Sequence, residues 1–121
     1  MTAAIWAGVM LMGGLGSVAR FVLDRAVARR VGGPFPFGTF TVNVLGSLLL
    51  GLVSGLVLSH TVALLVGTAV MGAFTTFSTW MFETQRLAEE LQIRTAVANI
   101  GVSLVVGLGA AAFGQWIAGL L

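Results

Sequence analysis

Charge gathers toward the ends of four long apolar stretches and in the breaks between them, and that arrangement fixes the solvent before it fixes the fold. Only 8% of the 121 residues are charged and 58% are hydrophobic, with a mean hydropathy of +1.06. An ordinary soluble domain carries about 25% charged residues. One water-soluble core of this size cannot bury so much apolar surface, so the chain belongs in a bilayer. A helix needs roughly 20 apolar residues to cross about 30 Å of hydrocarbon. The stretches at about 3–23, 39–58, 62–91 and 95–121 all reach that length. No linker divides them, so the expectation is one domain over 1–121: an all-α membrane protein of four transmembrane helices, multi-pass in the cell's inner (plasma) membrane and surrounded by lipid. The first stretch has no basic segment ahead of it and reads as a retained span rather than a cleaved signal.

Several function classes fall away on composition. The net charge of +2 comes from six arginines, clustered only at Arg25, Arg29 and Arg30, which is too little for a nucleic-acid surface. Cysteine is absent and histidine occurs once, at His60, which removes disulfides, thiol chemistry and most transition-metal sites. No nucleophile, base and orienter can be assembled, so an enzyme is not expected. His60 reads as a solvated turn residue, and Trp6 and Trp116 read as interfacial anchors.

Polar and small residues inside the spans fall into stripes. Thr39, Asn43, Ser47, Gly51 and Gly55 recur every four residues in the second span, and Asn99, Ser103, Gly107 and Ala111 do so in the fourth. Such stripes let helix backbones approach closely, and their hydroxyl and amide groups bond across a helix interface. Asn43 asks for more, because a carboxamide at membrane depth has four hydrogen-bonding sites to satisfy.

The third stretch is too long. About 30 residues make about 45 Å of straight helix, more than the hydrocarbon thickness. Its middle reads MGAFTTFSTWMFE over 71–83. Gly67 and Gly72 followed by Thr75, Thr76, Ser78 and Thr79 predict a break near 72–79, since hydroxyl side chains re-satisfy freed backbone groups. A break exposes carbonyl oxygens, which suit a cation, and amide donors, which suit an anion. Phe74, Phe77 and Trp80 are spaced by three, so their rings can line one face and offer positive edges to an anion; the competing reading packs them against lipid or a neighbouring helix. Arg20 and Glu83 stand where spans meet the interface. Each has a plain reading, Arg20 snorkelling to pair with Asp24 and Glu83 as a solvated end carboxylate, and a functional one, an anion-attracting vestibule charge and a carboxylate that fixes the third helix.

Three blocks, GGLGSVARF at 13–21, GTFTVNVLGSLLLG at 38–51 and MGAFTTFSTWMFE at 71–83, together resemble the Fluc fluoride channels, also called CrcB proteins, in order, spacing and span count. The resemblance covers essentially the whole chain. It implies a channel that exports fluoride down its gradient and protects the cell from fluoride toxicity. It also implies an antiparallel, dual-topology homodimer with two pores and a structural sodium ion at its centre. By the same resemblance the pore residues are Asn43, Thr39, Phe77, Trp80, Ser78, Thr79 and Ser103. Backbone carbonyls of Gly72 and Thr75 are the sodium ligands, and Arg20 and Glu83 are the vestibule and structural charges. Trp80 stands where the family usually has a second Phe, and it adds an indole N–H donor. Ala73 and Met81 stand where Gly and Ser are frequent.

Two other functions compete. A proton-coupled exporter of the small multidrug resistance type has the same size and span count, but it requires a titratable carboxylate in its first span, and residues 1–23 contain none. A non-transporting scaffold explains the glycines and leaves Asn43 and the hydroxyl cluster unexplained.

Orientation supplies a test. Both termini and the 59–61 link share one side and carry no Arg or Lys, whereas the 24–38 and 84–95 connections carry Arg25, Arg29, Arg30, Arg86 and Arg94. The positive-inside rule puts both termini outside, in tension with dual topology. Either insertion overrides the bias or the chain pairs with a related subunit of opposite orientation. Labelling from each side at a cysteine introduced near position 60 decides between these: reaction from both sides means dual topology, and reaction from outside alone rules out a cellular homodimer.

Overall fold

The computed structural model describes residues 2–121, and its regular structure is entirely helical. Helix α1 (Ala3–Arg30) begins at Thr2, whose hydroxyl accepts the Ile5 N–H at 3.3 Å, and ends with Arg29 and Arg30 in its last turn, the favourable sign for that pole of the helix dipole. Its 28 residues make about 42 Å of helix, so the arginine-bearing end extends past the hydrocarbon. Helix α2 (Phe37–Gly55) follows the two-proline turn and stops where Leu56 becomes extended. The third span, His60–Glu89, is composite. It runs through α3 (His60–Val62), a π-helical stretch (Ala63–Met71) and one turn, α4 (Gly72–Phe74), breaks over 75–77, and resumes as α5 (Ser78–Glu89). Helix α6 (Ile93–Gly119) completes the bundle.

Four helical spans are long and apolar enough to cross a membrane. Their outward faces agree: Met10, Leu11, Val18 and Phe21 on α1 and Val102, Val105 and Leu108 on α6 are exposed, as surfaces bathed in lipid or covered by another helix would be. The link between the second and third spans is 56–59 rather than 59–61. Ser59 caps α3 by accepting the Val62 N–H at 3.2 Å, which makes His60 the first helical residue of the third span, exposed as a turn neighbour should be.

Each half of the third span has its own neighbour. The Ala63–Met71 stretch and α4 pack on α1, whereas α5 packs on α6. Val42, Met71 and Phe74 form the buried core on the first side, flanked by Leu23, Leu49 and Val70. Phe74 therefore does not share a face with Phe77, contrary to the spacing argument. Thr75 is extended between them, so a helical interval of three no longer holds; Phe74 points into the core and Phe77 is 71% exposed.

The most extensive helix pair is α2 against α6. At their crossing a Cβ on Gly51 would collide with the Ala111 carbonyl, and one on Gly114 with the Leu48 carbonyl. This is the close approach that small-residue stripes permit. Replacing Gly51 by Leu should destabilise the protein by about 1–3 kcal/mol through forced separation of the helices, read as a lower melting temperature in detergent. Gly109→Leu, at a position with open space around it, should leave melting unchanged; an equal fall for both would remove the crossing as the cause.

Candidate functional site

A helix broken inside a membrane frees backbone donors and acceptors that have no water to turn to. Asn43 on α2 answers this directly. Its Nδ2 donates to the Thr76 carbonyl at 2.8 Å, and its Oδ1 accepts the Thr76 N–H at 2.7 Å. One side chain thus satisfies both main-chain groups of the residue at the centre of the break. The two threonines then close one half-helix each. The Thr75 hydroxyl and N–H both donate to the Met71 carbonyl, at 3.2 and 3.1 Å, finishing the first half. The Thr76 hydroxyl accepts the Thr79 N–H at 3.2 Å, starting the second. Gly46, on the same side of α2 as Asn43, leaves room for the Thr75 methyl, which a Cβ there would strike. The Thr76 N–H, which an unbroken helix would give to the Gly72 carbonyl, goes to Asn43 instead, and Gly72 lies exposed with open space beside it.

Beside the break lies a cleft of about 230 Å³ between α2 and α6. Asn43 and Ser47 line it from α2, Trp80 from α5, and Ser103, Leu104, Gly107, Leu108 and Ala111 from α6. The polar stripes read from the sequence face each other across this space, and the lack of bulk at positions 107 and 111 keeps it open. The Phe77 and Trp80 rings meet edge to face, centroids 5.7 Å apart at 80°. Trp80 forms part of the cleft wall, and Phe77 projects outside it.

The remaining sequence candidates divide. Thr39 is buried, and its hydroxyl donates to the Glu83 carboxylate, so the pair ties α2 to α5 and lies outside the cleft lining. Thr79 is half-buried at the start of α5, and Ser78 is exposed there. Arg20 is half-buried on α1, away from the cleft. Among the described residues no hydrogen bond joins it to Asp24, whose carboxylate sits against Gly38 in the first turn of α2, where the helix dipole favours a negative charge.

Asn99 and Thr84 carry more than the motif blocks suggested. Asn99 is fully buried. Its Nδ2 donates to Thr84 Oγ1 at 2.8 Å and, at 3.4 Å, to the Trp80 carbonyl, and its Oδ1 accepts from the Ser103 hydroxyl at 3.4 Å. The Thr84 hydroxyl donates to the Trp80 carbonyl at 2.8 Å, and the Trp80 indole N–H donates to the Asn99 carbonyl at 2.9 Å. The donor that tryptophan adds is therefore committed within the protein. Asn99 was visible as the first member of the α6 stripe; Thr84, one turn past Trp80, gave no separate signal.

A bundle of four membrane-spanning helices, one of them broken beside a cleft that carries Asn43, Ser47 and Ser103, is a multi-pass membrane protein. The chain belongs to the CrcB-like family: residues 7–115 match the family described as CrcB-like protein, Camphor Resistance (CrcB). It is 61% identical over 118 residues to the fluoride-specific ion channel FluC 2 of Mycobacterium bovis, covering 98% of this chain and 94% of that one. It is also 61% identical to FluC 2 of Mycolicibacterium paratuberculosis, covering 99% and 98%, and 42% identical to the fluoride-specific ion channel FluC 1 of Leifsonia xyli, covering 99% and 90%.

Removing the Asn43 carboxamide should cost more than removing a cleft hydroxyl. Asn43→Ala strands two main-chain groups at the break and should destabilise by roughly 2 kcal/mol or more. Ser47→Ala, which touches the cleft alone, should change stability little. Thermal melting of both variants in detergent compares them, and equal melting temperatures would contradict the clamp.

Proposed function

We propose that the chain is a fluoride-selective channel that lets cytoplasmic fluoride leave the cell down its gradient and so protects against fluoride toxicity. The observation that carries this reading is the clamped break beside the cleft, in a chain so close to relatives named as fluoride-specific channels. Fluoride is small and strongly hydrated, so a path through the membrane must replace its water with donors. Asn43 commits one amide N–H to Thr76 and keeps a second; Ser47 and Ser103 add hydroxyls. Phe77 and Trp80 add positive ring edges, which attract an anion without the grip of a full charge. Ser78 and Thr79 add hydroxyls at the start of α5, Thr39 gives its hydroxyl proton to Glu83 and so ties α2 to α5 beside the path, and Arg20 adds a positive charge on α1, outside the cleft.

The assembly is part of the proposal. The cleft is open on one side and Phe77 projects from the single chain, which an antiparallel homodimer, or pairing with a related subunit, would cover to make two pores. A sodium ion fits the break. Gly72 is an exposed residue whose carbonyl lacks its helical donor, the Thr76 N–H that goes to Asn43, Thr75 lies nearby in the chain, and main-chain oxygens suit a hard cation. One chain offers few such ligands, so a second copy would complete the set. When bound, the ion would lie at the C-terminal end of the first half of the third span, the negative pole of that half-helix. In a bacterium the membrane is the plasma membrane. The proton-coupled exporter has no support, because the one acidic residue of α1, Asp24, lies beyond residues 1–23, against Gly38 at the start of α2.

Liposomes loaded with fluoride or chloride and carrying the purified protein test the reading, with sodium present or replaced by a large organic cation. Fluoride should leave rapidly and chloride should stay, and loss of sodium should lower the rate. Equal passage of the two anions would refute fluoride selectivity; a rate indifferent to sodium would refute the cation site alone.

A further inference from the structure

The polar network around Asn99 lies outside the break and is not needed to satisfy it. A fully buried carboxamide in an apolar bundle is costly unless its bonding sites are filled, and here they are filled selectively. Its bonds run to Trp80, to Ser103 and to Thr84, and Thr84 itself donates to the Trp80 carbonyl. Trp80 and Ser103 are the residues by which α5 and the first turns of α6 reach the cleft. Glue between two helices needs any one donor and acceptor; this set converges on two residues of the cleft wall.

We infer that Asn99 is a positioning residue for the anion path, fixing the Trp80 ring and the Ser103 hydroxyl relative to each other; the inference rests on the fluoride-channel reading of the cleft. Trp80 is held at two points, its main-chain carbonyl by the Asn99 side chain and its indole N–H by the Asn99 carbonyl. Both its backbone and its ring rotation are set. With its one polar side-chain atom, the indole N–H, committed to Asn99, Trp80 has no side-chain hydrogen-bond donor left for the cleft it lines, and that N–H serves as an anchor. Ser103 is held more loosely, at 3.4 Å, so its proton can turn from Asn99 to an anion.

Two measurements test this. In a Trp6→Phe, Trp116→Phe background Trp80 is the sole fluorophore. Adding Asn99→Leu should shift its emission and expose it to acrylamide quenching, and unchanged emission and quenching would overturn the inference. The second measurement is fluoride efflux from liposomes for the parent, Asn99→Leu, Trp80→Phe and the double variant. Asn99→Leu should slow efflux about tenfold, the rate equivalent of one lost buried hydrogen bond. Trp80→Phe, whose ring has no N–H to anchor, should slow efflux several-fold by itself, and the double variant should be little slower than Asn99→Leu, because both changes release the same ring. Losses that simply multiply would mean that Asn99 acts apart from Trp80, and would also overturn it. A residue that only held α5 to α6 would lower the melting temperature without this coupling. Failure of the parent to pass fluoride would defeat the channel reading, and Trp80 fluorescence would still decide the positioning role. If Asn99→Leu does not elute as the parent does, Thr84→Val, which removes the bridging hydroxyl at similar volume, carries both measurements with the same outcomes.

Discussion

The pairing of Asn43 with Thr76 is the interaction on which the rest of the bundle depends. A chain interrupted in hydrocarbon leaves an N–H and a C=O that each cost free energy when unpaired. A carboxamide is the side chain that presents one donor and one acceptor side by side at the spacing of a peptide group. Asn43 therefore does for the third span what the next helical turn would have done. With that bond pair in place, Thr75 and Thr76 can each close a half-helix, and the interruption becomes a fixed element of structure.

Interrupting the span also changes what it can pack against. A straight helix of this length would present one set of neighbours along its whole course. Here the first half belongs with α1 and the second with α6, while α2 touches both. The cleft lies beside the break, between α2 and α6, and Trp80, in the first turn of α5, forms part of its wall. Close approach of α2 and α6 at Gly51 and Gly114 keeps the two polar stripes near enough to share that space.

Much of this was legible in the residues. The four spans followed from hydropathy and the confinement of charge, and the break from a stretch too long and too rich in hydroxyls to be one rod. Asn43 stood out because an amide at membrane depth demands partners. The partner itself was not legible, since a main-chain group carries no residue type. The division of aromatic residues was misread for a related reason: Phe74 and Phe77 keep helical spacing in the sequence, but one extended residue between them cancels the periodicity. Asn99, Thr39 and Glu83 could be singled out, but their partners could not: the bonds of Asn99 to Thr84 and Trp80, and of Thr39 to Glu83, join different helices and leave no periodic trace in the sequence.

The division of the third span bears on how such a chain comes to rest in a bilayer. The segment Ser78–Glu89, STWMFETQRLAE, contains two acidic residues, an arginine, a glutamine and three hydroxyls in twelve positions. Its own partition into hydrocarbon is unfavourable. It is seated by others: Thr39 takes up Glu83, and Asn99 takes up Thr84 and the Trp80 backbone. Helix α6 is synthesised after it, so during biogenesis the second half of the third span lacks the partner that makes its depth tolerable. Membrane integration and tertiary folding are consequently one event for this segment, and the protein reaches its final topography only when its last helix arrives.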